Sequence, residues 1–174
     1  WYIHDSNPMT MIENVKKLAN HKNVLAIGET GLDKRCKTNF QDQEKYFKMH
    51  LKIAEDVQKP VIIHNVKSLP EILALEKVLK PKVPWILHGY RGSVQATEQL
   101  ILKGFYFSFS DNISKDEKIG EVLRMIPDNK LFFENDDTDV ATAEIYAKAA
   151  IFRNQSLDHL KKITKNNFLT LFGE

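Results

Sequence analysis

Cysteine is nearly absent from this chain: Cys36 is the single thiol in 174 residues. One thiol excludes an intramolecular disulfide framework and any metal site built from several thiolates, and it fits a reducing, cytoplasmic compartment. Glycine and proline are sparse, at 7 and 6 residues, and no low-complexity segment or linker breaks the chain, which excludes fibrous and disordered classes. No apolar run approaches the ~18–20 residues of a membrane span. The opening Trp1-Tyr2-Ile3-His4-Asp5 has no basic region followed by an apolar stretch. An excess of either charge is missing too: 25 Lys and Arg stand against 23 Asp and Glu, a net charge of +2. Bulk electrostatics would not draw such a chain onto a polyanion, so any polyanion must be held locally, by a few groups or a metal. What remains is an ordinary globular composition, 43% apolar and 28% charged, over a length that predicts one domain spanning 1–174.

Periodicity then divides the chain. Thr10-Met11-Ile12-Glu13 has the form of a capping box, and Ile12, Val15, Leu18 and Ala19 recur at helical spacing, which predicts a helix to about Asn20. Five short apolar runs read as buried strands, at 24–29, 60–64, 84–89, 104–110 and 131–136. Amphipathic helices follow them. The first runs from Gln41 to about Gln58 with Phe47, Leu51, Ala54 and Val57 on one stripe, and the second starts at Ser68-Leu69-Pro70-Glu71. Ser93 caps a third, Ser114-Lys115-Asp116-Glu117 opens a fourth, and 140–150 and 156–172 read as helices with Gly173 as the final cap. Strand and helix alternating five times argue for an α/β fold with a parallel sheet and right-handed crossovers. Two closures fit, a doubly wound five-stranded sheet and part of a (β/α) barrel.

In either closure the functional rim is the carboxyl end of the strands, and Glu29, His64, His88 and Asp136 all fall there. Imidazoles and carboxylates gathered on one rim cost free energy unless a cation sits among them, and a divalent metal is the natural occupant. The donor set is compatible with Zn, Mn, Mg or Fe and poorly suited to soft metals. Asp136 is taken as the ligand because it ends the strand pattern, with Glu134, Asp137 and Asp139 read as loop or cap acids. Arg91 follows a ligand strand and precedes a helix start, which suits an anionic oxygen or a surface ion pair. His4, His21, His50 and His159 read as packing or solvated side chains. Cys36, flanked by Lys34, Arg35 and Lys37, has basic neighbours that lower a thiol pKa, yet no His–Asp relay is in view to make it a nucleophile.

Four blocks resemble the TatD-related metal-dependent hydrolases of the wider amidohydrolase group. Gly28-Glu29-Thr30-Gly31-Leu32-Asp33 is similar to the family's G-E-x-G-L-D block, and Pro60-Val61-Ile62-Ile63-His64 to P-V-x-x-H. His88-Gly89-Tyr90-Arg91-Gly92-Ser93 resembles H-x-F-x-G-S, and Leu131-Phe132-Phe133-Glu134-Asn135-Asp136 resembles L-L-x-E-T-D with Asn135 replacing the usual Thr. Arg153-Asn154 and Thr164-Lys165-Asn166-Asn167-Phe168-Leu169-Thr170-Leu171-Phe172-Gly173 match two further segments. The resemblance implies a TIM barrel of which about the last five β/α units are present, the five strands corresponding to the fourth through eighth. It implies that Glu29 is a ligand shared between two ions and that His64 and His88 are ligands. Asp136 would bind metal and orient the attacking water. The family's opening strand, with its H-x-H ligand pair, has no counterpart here, and Trp1-Tyr2-Ile3-His4 resembles the stretch just after the family's third strand. A chain of these five units alone would expose strand edges and self-associate.

The function implied is a deoxyribonuclease with two divalent ions, Mg, Mn or Zn, acting on single-stranded DNA or DNA ends, with Arg91 toward the phosphoryl oxygens. Two alternatives use the same residues differently. An amidohydrolase-like enzyme would keep the metal and change the ester or amide substrate. A non-catalytic fragment or binding module, such as a flavodoxin-like domain, would need no metal, but Gly28-Glu29-Thr30-Gly31 does not fit a G-x-G-x-x-G phosphate loop.

Overall fold

Pro8 marks the start of the first helix. The computed structural model describes residues 8–114, 117–136 and 138–173, and in it α1 runs Pro8–Ala19. A proline has no N–H to lose in a first turn, so it is at home there. Thr10 therefore lies inside the helix, and the box expected to open it does not form its start. His4, Asp137 and the Lys115-Asp116 pair expected to open a helix lie outside the described residues.

The packing divides the chain into two compact units, residues 1–85 and 86–174. In the first, β1 (Ile27–Asp33) pairs in parallel with β2 (Val61–Val66). The strand expected at 24–29 thus starts later and runs on through Asp33. The extension escaped the apolar pattern because Gly28 and Gly31 are poor strand formers and Glu29 and Thr30 are polar, yet Thr30, Gly31 and Leu32 are buried against the partner strand. Gly31 is obligatory for that approach: a Cβ there would lie 2.0 Å from the His64 carbonyl oxygen.

The helix α2 (Phe40–Val57) packs Phe47, Leu51 and Ala54 inward, and the Phe47 ring sits 6.2 Å from Trp85. Its start is set by Asn39, whose Oδ1 accepts the Gln41 N–H at 2.8 Å and the Asp42 N–H at 3.4 Å. Gln43 ties it to the strand end: its Oε1 accepts the Asp33 N–H at 2.8 Å and its Nε2 donates to the Asp33 carbonyl at 3.0 Å. Between β2 and α3 (Leu69–Leu79), the fully buried Ser68 gives its hydroxyl to the Leu32 carbonyl at 2.6 Å.

In the second unit, β3 (Trp85–Leu87, entered from the last residue of the first) pairs with β4 (Tyr106–Phe109), and β4 with β5 (Leu131–Phe133), all in parallel. The Ser93 hydroxyl caps α4 (Val94–Leu102) by accepting the Ala96 N–H at 3.3 Å. A 3-10 turn at Asp111–Ser114 leads to α5 (Glu117–Met125), and α6 (Thr142–Arg153) and α7 (Leu157–Phe172) finish the chain. Phe105, Phe107, Phe109, Leu123, Ile126 and Leu131 are almost wholly buried and form this unit's core.

Within the units the parallel strands follow in chain order, β1-β2 in the first and β3-β4-β5 in the second, as neighbouring strands do in a (β/α) barrel wall.

Candidate metal centre

In the first unit the ladder between β1 and β2 shifts register between Ile27 and Thr30, and Glu29 sits at that irregularity. Such a break re-aims a side chain that regular pleating would place on a fixed face. Glu29 Oε1 lies 2.7 Å from Nδ1 of His64 on β2. On the ring's other side, Asp33 Oδ2 stands 3.7 Å from His64 Nε2 and Asp33 Oδ1 accepts the Arg35 N–H at 2.6 Å. The imidazole therefore lies between two acids from one strand, within hydrogen-bond distance of Glu29 and farther from Asp33.

In the second unit His88 follows β3 directly and Glu134 follows β5 directly. Glu134 Oε1 accepts the Gly89 N–H at 2.6 Å and faces His88 Nδ1 at 3.3 Å, while its Oε2 accepts the Ser108 hydroxyl at 2.5 Å. Burial works to raise this carboxyl. Hydrogen bonds from His88, Ser108 and the Gly89 backbone outweigh it and hold the group below the ordinary carboxylate range.

Asp136 lies beyond the strand rather than at its end: β5 stops at Phe133, and Asp136 is exposed with φ +40°. Short polar side chains tolerate that left-handed backbone. The pattern at 131–136 misled because the acids prolong an apolar triplet whose pairing ends at Phe133. Glu134, read from sequence as a loop or cap acid, is the one set against His88; its signal was its place immediately after the last apolar residue. Arg91 is exposed and lines a cleft of about 630 Å³ with Ser93, Gln95, Asn112, Lys118 and Glu121. Gly92 lies beneath the Tyr90 hydroxyl, which any Cβ there would meet at 1.9 Å.

The remaining motif residues brace the fold. The Arg153 guanidinium donates to the Leu123 carbonyl, to the Ile126 carbonyl at 2.8 Å and to Asp128 Oδ1 at 2.6 Å. Asn154 ends α6 in a left-handed cap, and Asn167 donates to the Asp128 and Leu131 carbonyls at 2.7 and 2.8 Å. His159 pairs with Asp128 Oδ2 at 2.9 Å, and His50, whose pKa burial lowers, lies 2.8 Å from the Tyr46 carbonyl. The Cys36 sulfur lies 3.4 Å from Thr38 Oγ1, and hydrogen bonds from the Thr38 hydroxyl and backbone favour the thiolate and lower its pKa.

Glu29 and His64 in the first unit, and His88 in the second, supply one carboxylate and two imidazoles, side chains of the kind that ligate a metal. The donors fit a borderline divalent ion, and His88 has the Glu134 carboxylate against Nδ1, the support that metal-bound histidines ordinarily have.

Sequential parallel strands and a histidine–carboxylate centre are those of the metal-dependent hydrolases built on (β/α) barrels. The chain belongs to the TatD related DNase family, whose model matches residues 1–173. It is 29% identical to an uncharacterized metal-dependent hydrolase of Buchnera aphidicola, over 91% of this chain and 67% of that one. It is 31% identical to the 3'-5' ssDNA/RNA exonuclease TatD of Citrobacter koseri, over 90% of this chain and 68% of that one. Among solved structures, the TatD homologue YjjV of Escherichia coli superimposes with a TM-score of 0.86 at 23% identity, covering 99% of this chain and 73% of that one. The chain thus spans about two thirds of the length of these curated relatives. Among the described residues no helix is long and apolar enough to cross a membrane.

Proposed function

We propose that this protein is a divalent-metal-dependent phosphodiesterase that cleaves DNA, as single strands or at ends, in the cytoplasm. The observation that carries the reading is the Glu29–His64 pair at 2.7 Å on a chain of this family. Glu29, His64, His88 and Asp136 would hold two ions, Mg, Mn or Zn. When bound, the ions would supply Lewis acidity toward the phosphoryl oxygens and acidify water in the site.

The chain's own groups do the rest. Asp136 accepts the proton of the attacking water and directs it at phosphorus. His88 is fixed by the Glu134 carboxylate against Nδ1, which leaves its Nε2 lone pair for an ion. Arg91, exposed beside the start of α4, draws in a phosphoryl oxygen.

The test is hydrolysis of a labelled single-stranded oligonucleotide beside small esters and lactones. The expected result is DNA cleavage that needs added divalent ion and is lost in Glu29→Gln. Asp136→Asn is expected to lower it by at least about 100-fold, the scale of a general-base contribution. Cleavage that survives chelation, or turnover of esters with none of DNA, overturns the reading.

A further inference from the structure

We propose that Glu134 is a positioning residue for this centre: it holds His88 as the Nδ1–H tautomer, so that Nε2 presents its lone pair to a divalent cation. The inference rests on the reading of His88 as a ligand and adds a residue that ligand spacing alone does not reveal.

The argument is one of hydrogen-bond capacity. An ionised carboxylate only accepts, so the ring nitrogen that faces it must carry the proton. Glu134 Oε1 faces His88 Nδ1 at 3.3 Å, which leaves Nε2 as the ring atom bearing the lone pair. The acid cannot swing away. Its Oε1 also takes the Gly89 N–H at 2.6 Å, its Oε2 takes the Ser108 hydroxyl at 2.5 Å, and its own N–H donates to the Phe109 carbonyl at 3.0 Å. Ser108 is itself buried on β4, so the carboxylate is anchored to the sheet. Gly89, at φ +53°, makes the turn that brings both its N–H and the preceding imidazole onto the same carboxylate. The side chains of Glu134 and His88 are only 25% and 12% exposed, so water competes weakly for the contact. A histidine set this way pays no tautomer or rotamer cost when it coordinates, and loss of such a partner typically weakens metal binding about 10- to 100-fold.

The experiment uses the full chain and two readouts. Long-range 1H–15N spectra of the metal-free protein report the His88 tautomer, and competition with a chromophoric chelator reports Zn2+ affinity. In the wild-type protein His88 is expected to be protonated at Nδ1. In Glu134→Ala the spectrum is expected to show mixed tautomers, with Zn2+ affinity lower by about 10- to 100-fold. Glu134→Gln offers a carbonyl oxygen to His88 and Gly89 without the charge, and is expected to keep the tautomer with an intermediate loss of affinity. Unchanged tautomer and affinity in a natively folded Glu134→Ala protein overturn the proposal. If that variant does not fold, Glu134→Gln decides, and wild-type Zn2+ affinity there overturns it. A wild-type protein that takes up no Zn2+ overturns the metal reading instead, while the tautomer of the metal-free chain still tests the positioning.

Discussion

Gly31 and Arg153 show what single positions decide. The Cβ of Gly31→Ala would fall 2.0 Å from the His64 carbonyl oxygen, so β1 and β2 cannot keep their register around Glu29 and His64. The expected cost exceeds about 3 kcal/mol in urea unfolding, the size of a severe backbone clash, and Zn2+ affinity should fall with it. Arg153 is 6% exposed and satisfies two carbonyls and Asp128 at once. Arg153→Ala strands those acceptors and should cost about 2–4 kcal/mol by the same measurement. Asp128 opens a pH dependence. Burial tends to raise its carboxyl, but hydrogen bonds from His159, Gln155 and Arg153, with the Arg153 charge, hold it below its ordinary value. A depressed carboxylate contributes stability that is present above the unfolded-state value and lost as pH falls through the folded one. Urea midpoints measured downward from about pH 6 should therefore drop on the acid side, and Asp128→Asn should flatten that limb.

Helix ends were legible where a cap closes an apolar pattern, because caps are local chemistry: Ser93 and Gly173 stand where the sequence pattern puts them, while the Thr10 box does not open α1. Asn39, the cap of α2, went unread, since the apolar stripe placed that start at Gln41. Asn39→Ala removes the acceptor of two first-turn amides and is expected to cost about 1 kcal/mol, while Asn39→Asp should retain most of it; urea midpoints check both. Strand ends were less legible, since pairing and not composition sets them. β1 runs on through Gly-Thr-Gly because β2 is there to receive it, and β5 stops at Phe133 although acids continue the run. Ser68 has a capping residue's place before α3, yet its hydroxyl goes to the Leu32 carbonyl, a partner 36 residues away.

At the scale of the molecule, metal and DNA binding give bulk readouts. Divalent ion that binds the folded chain stabilises it by mass action, about 2.7 kcal/mol at one hundred times its dissociation constant. Thermal unfolding should shift upward on adding Zn2+ or Mn2+, return on chelation, and stay put in a His64→Ala, His88→Ala double variant. With a net charge of only +2, affinity for single-stranded DNA should depend weakly on salt. A log–log slope shallower than about −5 is expected from titrations across salt concentration, and a steeper one would indicate a broad basic surface instead.

The sequence by itself determined the order of strands and helices, the α/β class, the donor types at positions 29, 64 and 88, and the family blocks. Each is a matter of local pattern: apolar period, capping chemistry, and which side chains follow an apolar run. Only the tertiary structure decided which carboxylate stands against which imidazole. Glu29 and Asp33 flank His64, and Glu134, not its neighbour Asp136, faces His88. That choice depends on a ladder irregularity, a turn at Gly89 and the buried Ser108 on another strand. These meet only when strands distant in the chain are paired, and no spacing along the chain encodes a contact made across a sheet.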